Sequence, residues 1–395
     1  MEFSELNLPD YLVSTVAGLG YEKPTFIQEK AIPVLLSGKD VIAQSETGSG
    51  KTAAFALPII SKATPGQGVQ CLVLAPTREL AEQVAFEFRR LSRNKKLAIA
   101  AVYGGVDIEP QISALRRSEI IVATPGRMLD HLSRRTADFR RLQFLVLDEA
   151  DKMFEMGFID DVRSIIKTLP RERQTMLFSA TIGPEVRSIS SDYMKAPHML
   201  RANPYVDKGA LKQLYYDVRP QDKFSLLLHL ISEEKPGLSI VFCATRSRVD
   251  TVTRNLTANR INAVAIHGGH TQAKRNSVMR DVRTGKVHIL VATDVAARGL
   301  DIRNVSHVFN YDIPKTSVEY VHRIGRTARA GKSGKAISIL AEADHENFRH
   351  VMEDRSLGIQ RQPVPSFRRV AFIMPKRDFS RNFPRRIVAG YSRRR

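Results

Sequence analysis

The feature that most constrains this chain is a glycine-rich turn between an apolar run and a helical run. Residues 43–52 read Ala-Gln-Ser-Glu-Thr-Gly-Ser-Gly-Lys-Thr, follow Val41-Ile42 and precede the apolar run 53–57. Strand, glycine loop and helix in this order are typical of a phosphate-binding loop, because glycines let backbone N–H groups converge on an anion at the positive end of a helix. Ser45 stands where the strict pattern has glycine. An ordinary turn that caps a helix is the alternative interpretation.

The polar groups of this loop predict how it would hold a nucleotide. Gly48, Ser49 and Gly50 would supply the backbone donors. The Lys51 ammonium would add a mobile charge for the outer phosphates. The Thr52 hydroxyl is an oxygen ligand of the kind that Mg²⁺ prefers.

Length and composition bound the class of protein. A chain of 395 residues predicts two or three domains, and 43% hydrophobic residues suffice for buried cores. The chain contains no run of 18 apolar residues, so we expect no membrane-spanning helix. The acidic start at 1–5 lacks the features of a secretion signal. Cys71 and Cys243 lie in strand-like runs, so we expect them to be buried, reduced and structural, in a reducing compartment without a metal site.

The net charge points to a polyanionic partner. Lys and Arg number 61 against 41 Asp and Glu, a surplus of +20, and nucleic acid is the first partner that such a surplus indicates. From Gln360 to Arg395 there are 11 Lys and Arg and one acid, Asp378, so half of the surplus lies in the last 36 residues. A basic tail that binds RNA is predicted, with a protein-docking tail as the alternative.

Short apolar runs alternate with helical stretches through most of the chain, which predicts an α/β fold with parallel sheets covered on both faces. Strands are predicted at 41–44, 70–75, 97–103, 119–123, 143–147 and 175–178, and again at 238–242, 263–266, 287–292, 306–309 and 336–340. The resulting division is an N-terminal domain at 1–203, a linker at 204–209, a C-terminal domain at 210–360 and a basic tail at 361–395, which is expected to be flexible except for the apolar stretch 370–374.

A second constellation of chemical groups follows the apolar strand 144–147, which runs directly into Asp148-Glu149-Ala150-Asp151. Carboxylates at the carboxyl edge of a parallel strand lie where such sheets bind ligands. Asp148 is therefore predicted to hold Mg²⁺ and Glu149 to orient and deprotonate a water that attacks a phosphoryl group. The alternative is a solvated acidic turn.

With the phosphate loop, this tetrad resembles the DEAD-box family of ATP-dependent RNA helicases, over about residues 3 to 340. The resemblance implies two tandem RecA-like domains, ATP as the nucleotide and Mg²⁺ as its metal. Phe3, Tyr21 and Gln28 are similar to the family's adenine-reading residues, and Asp301 to its ribose contact.

The resemblance also assigns RNA contacts, which are phosphate-directed and carry little base readout. The implied RNA-binding residues are Pro76, Thr77, Arg78, Gly104, Gly105, Thr124, Arg127, Gly268, Gln272, Arg275 and Thr293. Ser179, Thr181 and His322 are implied to couple the nucleotide site to domain closure.

Residues 320–329, Tyr-Val-His-Arg-Ile-Gly-Arg-Thr-Ala-Arg, resemble the family's last motif. Arg326 and Arg329 are spaced i, i+3, which predicts that they share one helical face, and the resemblance implies an arginine finger for the γ-phosphate. A basic helix face for RNA phosphates is the alternative. Ala328 stands where the family often has glycine, and we expect little effect because alanine favours a helix.

These observations together predict an RNA-stimulated ATPase that unwinds short RNA duplexes or remodels RNA–protein complexes. An ATP-gated RNA clamp with little unwinding shares every motif, and a DNA translocase is a more distant alternative. Ribosomal RNA or a ribonucleoprotein is the expected target. We further expect a monomer, a cytoplasmic location and no membrane partner.

Overall fold

The computed structural model describes residues 1–45, 49–201, 211–297, 302, 305–328 and 333–374, and it contains two parallel sheets. The strands of the first sheet are β1 Val41–Gln44, β2 Cys71–Leu74, β3 Ile99–Val102, β4 Ile120–Ala123, β5 Phe144–Asp148, β6 Gln174–Ser179 and β7 His198–Arg201. Its helices are α1 Asp10–Gly18, α2 Phe26–Leu36, α3 Lys51–Lys62, α4 Arg78–Leu91, α5 Glu109–Leu115, α6 Pro125–Ser133, α7 Ala150–Glu155, α8 Ile159–Thr168 and α9 Pro184–Tyr193. The spatial order is β3-β4-β2-β5-β6-β1-β7.

The second sheet repeats this architecture. Its strands are β8 Leu211–Asp217, β9 Leu238–Phe242, β10 Ala263–Ile266, β11 Ile289–Ala292, β12 Val305–Asn310, β13 Gly334–Leu340 and β14 Gln360–Arg361, in the order β10-β11-β9-β12-β13-β8-β14. Its helices are α10 Lys223–Glu234, α11 Arg246–Ala258, α12 Gln272–Arg283, α13 Asp294–Ala297, α14 Ser317–Ile324 and α15 His345–Met352. The prediction of two tandem RecA-like α/β domains is confirmed.

Strands β2, β4 and β11 are apolar at every position because helices cover both faces of each sheet. Successive side chains of β2 therefore enter different cores: Val73 packs in one cluster, and Leu72 and Leu74 pack in the cluster on the opposite face. Full burial of each such side chain contributes about 1.5–3 kcal/mol. Among the described helices, none is both long enough and apolar enough to cross a bilayer.

The elements that the sequence did not predict lack a continuous apolar run. Strand β8 reads Leu-Lys-Gln-Leu-Tyr-Tyr-Asp and is mostly half-buried, yet it lies between β13 and β14. Strand β7 carries His198 and Arg201 at its exposed positions. The predicted linker 204–209 and the boundary at 203 fall outside the described residues.

The chain beyond Arg361 is ordered from an earlier point than predicted, because residues before the excepted stretch 370–374 also pack on the second domain. Gln360 and Arg361 pair with β8, and the following residues pack against α10 and α11. The Phe372 ring lies 5.0 Å from the Phe224 ring, centroid to centroid. Asn255 accepts a hydrogen bond from the Ile373 N–H at 2.9 Å and donates one to its carbonyl at 3.0 Å. We call residues 362–374 the docked segment.

The docked segment should contribute measurably to the stability of the second domain. Phe372→Ala removes a half-buried ring from the core beside Phe224, so we expect the free energy of unfolding to fall by about 1–2 kcal/mol, less than for a fully buried ring. Chemical denaturation monitored in the second domain measures this change. Met374→Ala, at an exposed side chain, is the matched control. Equal stabilities of the two variants would contradict the packing role.

Candidate nucleotide and nucleic-acid site

The phosphate loop joins β1 to α3, as the sequence predicts. Lys51 is the first residue of α3 and is 6% exposed, and its Nζ donates to the Ser45 carbonyl at 3.0 Å. Thr52 follows in the first helical turn, and the Ser49 hydroxyl donates to that of Ser45 at 3.2 Å. Gly48 lies outside the described residues. The described part therefore places a buried ammonium and a helix start at the carboxyl end of β1.

Gly50 is required both by conformation and by space. It caps α3 with φ +91°, and a Cβ there would lie 2.5 Å from the Gln28 amide nitrogen and 2.8 Å from the Thr25 hydroxyl. Gln28 Nε2 donates to the Gly50 carbonyl at 3.1 Å, and its Oε1 accepts from the Thr25 N–H at 2.9 Å. The predicted adenine-reading amide is thus tied to the phosphate loop, and retains one N–H and one lone pair for a base.

Phe3 is buried in the core of the first domain. It is 4% exposed, and its ring meets Tyr21 edge to face with centroids 6.1 Å apart. Tyr21 is half-buried, and its hydroxyl donates to Glu87. Phe3 and Tyr21 are therefore in contact, and Tyr21 is the more exposed of the two.

The acidic tetrad lies at the carboxyl end of β5, between β2 and β6. Glu149 has a left-handed backbone, φ 50° and ψ 49°, and α7 begins at Ala150. Burial raises the pKa of Asp148 to about 6, although Lys51 acts in the opposite direction. Burial would also raise the pKa of Glu149, but Lys152 and then Lys51 outweigh it and hold that pKa well below its usual range. Two adjacent carboxyls thus differ in proton affinity.

Asp151 connects the tetrad to the turn after β6. Its Oδ2 accepts from the Ala180 N–H at 3.1 Å, the Thr181 N–H at 2.9 Å and the Thr181 hydroxyl at 3.1 Å. Ser179 Oγ accepts from the Asp151 N–H at 3.2 Å and donates to the Thr181 carbonyl at 2.7 Å. His322 of the second domain brings its Nε2 to 4.0 Å from the same Asp151 oxygen. The three predicted coupling residues therefore converge on Asp151.

The last motif departs from the predicted helix. Helix α14 ends at Ile324, so Arg326 lies in the following turn and not on a helix, whereas Arg329 lies outside the described residues. Arg326 is buried, and its charge lowers the pKa of Glu149 in the first domain. Ala328 has φ 54°, a left-handed conformation that glycine adopts more easily, so its helix propensity has no bearing there.

The residues with predicted RNA contacts follow the strands on one side of the first sheet. Thr77 caps α4 by accepting from the Leu80 N–H at 3.2 Å, and Pro76 before it is buried. The Arg78 guanidinium fills the space where a Cβ on Gly105 would lie, and Gly105 has φ +79°. Gly104 lies beside the same guanidinium.

The neighbouring strand supplies two further predicted contacts. Thr124 caps α6 after β4, and its N–H donates to the Val102 carbonyl at 2.9 Å. Arg127 Nη2 donates to the Val106 carbonyl at 3.0 Å, whereas its buried Nη1 has no hydrogen-bond partner among the described residues. A phosphate oxygen is the kind of acceptor that this nitrogen lacks.

The second domain repeats this local geometry. Thr245 caps α11 with the same backbone angles as Thr77, and the Arg246 guanidinium lies beside Gly268 as Arg78 lies beside Gly105. Thr293 is buried at the end of β11. Gln272 begins α12, but its side chain is outside the described part, as is Asp301.

Arg275 makes a contact that the sequence did not predict. Its Nη2 lies 3.0 Å from Glu79 Oε1 of the first domain, and both side chains are about 15% exposed. Two buried charges of the site were also missed. Lys152 pairs with Glu149 at 2.9 Å, a partner that the i, i+3 spacing could have indicated. Arg323 pairs with both oxygens of Asp294, at 2.6 and 2.7 Å.

The donor set fits ATP with a divalent cation. Burial raises the pKa of the Asp148 carboxyl, and a bound Mg²⁺ would favour its ionised form by adding positive charge. Thr52 offers a hydroxyl in the first turn of the same helix as Lys51. Both are oxygen ligands of the type that Mg²⁺ binds.

The Arg275–Glu79 pair should stabilise the arrangement in which the domains are in contact. Arg275→Ala and Glu79→Ala should each lower the ratio of closed to open molecules about fivefold, about 1 kcal/mol, and the double variant should be no worse than either. Fluorescence energy transfer between dyes on the two domains measures this ratio. Arg280→Ala, exposed on the same helix, is the control. Additive losses in the double variant would refute the pairing.

Comparison with known proteins assigns the family. Residues 25–189 match the DEAD/DEAH box helicase model, and residues 222–331 match the helicase conserved C-terminal domain. The ATP-dependent RNA helicase CshA of Listeria monocytogenes is 47% identical over 369 residues, 93% of this chain and 71% of the relative.

Two solved structures extend the match to the fold. S. cerevisiae Dbp5 bound to RNA and ADP BeF3 matches with a TM-score of 0.83 at 33% identity, over 92% of this chain and 96% of that chain. Mss116p bound to ssRNA and AMP-PNP matches with a TM-score of 0.81 at 28% identity, over 92% of this chain and 79% of that chain. This chain belongs to the DEAD-box family of ATP-dependent RNA helicases, within helicase superfamily 2.

Proposed function

We propose that the chain hydrolyses ATP between its two domains and that closure of the domains holds single-stranded RNA, so that short duplexes separate locally. The observation that carries this proposal is the contact between the domains at the acidic tetrad. His322 Nε2 lies 4.0 Å from Asp151, and the charge of Arg326 lowers the pKa of Glu149. Groups of the second domain would therefore complete the site of the first. The likeness of the whole chain to two RNA-bound relatives supports this reading.

The roles at the nucleotide follow from charge and burial. Lys51 would exchange its hydrogen bond with the Ser45 carbonyl for a phosphate oxygen. Glu149 stays ionised and would orient and deprotonate the attacking water. Arg326 and Arg329 would neutralise the charge that develops on the γ-phosphate. Asp148 and Thr52 would hold Mg²⁺, which when bound neutralises phosphate charge.

The order of the strands explains how the nucleotide could control RNA binding. The nucleotide residues follow β1, β5 and β6, whereas the proposed RNA residues follow β2, β3 and β4, on the other side of the same sheet. In the second sheet the RNA residues follow β9, β10 and β11, again three neighbouring strands. Closing the cleft through Asp151 would therefore align the two RNA sides as a single clamp.

The proposed function also includes the choice of RNA target and the extent of unwinding. Backbone contacts give little base readout, so the target would be selected by structure and by the basic C-terminal residues, and ribosomal RNA or a ribonucleoprotein fits this description. An ATP-gated clamp with little unwinding uses the same contacts. A strand-displacement assay with short RNA duplexes separates these two outcomes.

The deciding experiment is steady-state ATP hydrolysis without nucleic acid, with single-stranded RNA and with DNA of matched sequence. We expect strong stimulation by RNA and weak stimulation by DNA, because 2′-hydroxyl groups distinguish the two strands. Equal stimulation by DNA would overturn the RNA-specific proposal and favour a DNA translocase. Absence of stimulation by either would favour a clamp that a partner activates.

The proposed arginine finger gives a sharp prediction. Arg329→Ala should lower kcat for ATP by about 10³-fold and largely spare ATP affinity, because the finger acts on the transition state. Single-turnover hydrolysis and nucleotide binding measure the two effects. Arg349→Ala, exposed on α15, is the control. Near-normal hydrolysis by Arg329→Ala would exclude the finger role.

The two carboxyls predict the pH dependence of catalysis. Asp148 stays protonated up to about pH 6, whereas Glu149 is ionised well below that, so kcat/KM for ATP should fall as the pH drops through about 6. Burial raises the pKa of Asp148 from 3.8 to about 6, so the folded state holds this proton more tightly than the unfolded chain does. The stability that this proton contributes is therefore lost as the pH rises from 3.8 to about 6. RNA-stimulated hydrolysis at pH values between about 5 and 8 measures the first effect. A flat profile would contradict it.

The basic C-terminal residues should make RNA binding sensitive to salt. Residues 375–395 carry eight Lys and Arg against Asp378, and deleting them leaves the docked segment in place, unlike a deletion from 361. We expect the slope of log affinity against log salt to shrink by about 0.7 per lost phosphate contact. Replacing the eight cations with glutamine, at constant length, is the control for chain length. An unchanged slope would favour the protein-docking alternative.

A further inference from the structure

Three potential metal ligands converge in the second domain, away from the nucleotide. Asp250 lies on α11, His267 follows β10, and His270 lies in the turn before α12. One ligand atom of each residue lies within 4.8 Å of the others. Three different elements therefore bring two imidazoles and one carboxylate to a single point.

The geometry within this cluster is tight. His267 Nε2 lies 2.9 Å from Asp250 Oδ1, and the two imidazole rings lie 4.0 Å apart, centroid to centroid. His267 Nδ1 accepts from the Gly269 N–H at 3.1 Å, so the ring proton resides on Nε2, between the imidazole and Asp250. A bound cation would replace that single proton.

The cluster also contains a ring nitrogen without a hydrogen-bond partner among the described residues, and one side of it is open to solvent. His270 Nδ1 is buried and has no hydrogen-bond partner among the described residues. His267 is 6% exposed, whereas the Asp250 side chain is 46% exposed. An ion could enter from the side of Asp250 and keep a water molecule there.

We propose that Asp250, His267 and His270 bind a divalent transition-metal ion of the Zn²⁺ type, with water as a fourth ligand. Ions of this type bind imidazole nitrogens and carboxylates, whereas Mg²⁺ and Ca²⁺ prefer oxygen ligands alone. The site spans the turn that contains Gly268, so a bound ion would join that turn to α11, whose first residue is Arg246. The ion would therefore hold in place the turn that carries Gly268, one of the proposed RNA contacts.

The test uses the untagged, nucleotide-free full chain. Zn²⁺ affinity is measured by competition with a chromophoric chelator, and Co²⁺ serves as a spectroscopic probe of tetrahedral coordination. We expect one ion to bind per chain and to raise the melting temperature. His270→Ala should weaken Zn²⁺ at least about tenfold and abolish the Co²⁺ absorption bands.

Two further variants keep the test decisive if a substitution disturbs the turn. Asp250→Asn keeps a hydrogen-bonding partner for His267 but removes the charge, so it should also weaken Zn²⁺. His350→Ala, at an exposed histidine on α15, should bind Zn²⁺ as the unaltered chain does. Absence of stoichiometric Zn²⁺ binding would overturn the proposal, as would binding that both His270→Ala and Asp250→Asn leave intact; the cluster would then be a hydrogen-bonded brace alone.

Discussion

The structure depends on compensating buried charges at the end of β5. Asp148, Glu149 and Lys152 are almost wholly removed from water, and Lys51 lies beside them. Burying one such charge alone would cost several kcal/mol. Lys152 and Lys51 offset this cost for Glu149, whereas the pKa of Asp148 stays raised by burial. Arg326 adds positive charge from the second domain. The nucleotide chemistry and the contact between domains therefore share one electrostatic requirement.

This requirement also explains why the two domains can communicate. Asp151 lies two residues after Glu149, and its carboxylate is held by the backbone of the turn after β6. His322 approaches the same oxygen from the other domain. A change in charge at the nucleotide would thus alter the contacts of Asp151 with the turn after β6 and with His322 of the second domain.

Sequence reasoning predicted the parts that depend on local chemistry. The strands that are apolar at every position, the phosphate loop and the tetrad were predicted because burial and phosphate binding leave periodic or fixed-spacing signals. Strands β7 and β8 lacked such signals. The i, i+3 spacing predicts a helical face that includes Arg326, but Arg326 lies in a turn, because spacing does not exclude a left-handed residue such as Ala328.

The rest could not be predicted because it joins distant parts of the chain. The Arg275–Glu79 pair and the cluster around His267 depend on how elements pack, and no spacing encodes them. The sequence predicts flexibility for residues 362–369 of the docked segment, because Pro363, Pro365, Arg368 and Arg369 interrupt its apolar residues. Some of those apolar residues nevertheless pack on the second domain, as Phe372 does beside Phe224.

The docked segment has a consequence for how the basic C-terminal residues meet RNA. They depart from Met374, a fixed point on the second domain, and 21 residues can extend no further than about 70 Å from it. Their cations therefore share a volume that corresponds to a local concentration of about 1 mM near the domain. At that concentration a contact with a dissociation constant below about 1 mM stays largely occupied, so the proposed RNA-binding role of these residues requires only weak intrinsic affinity.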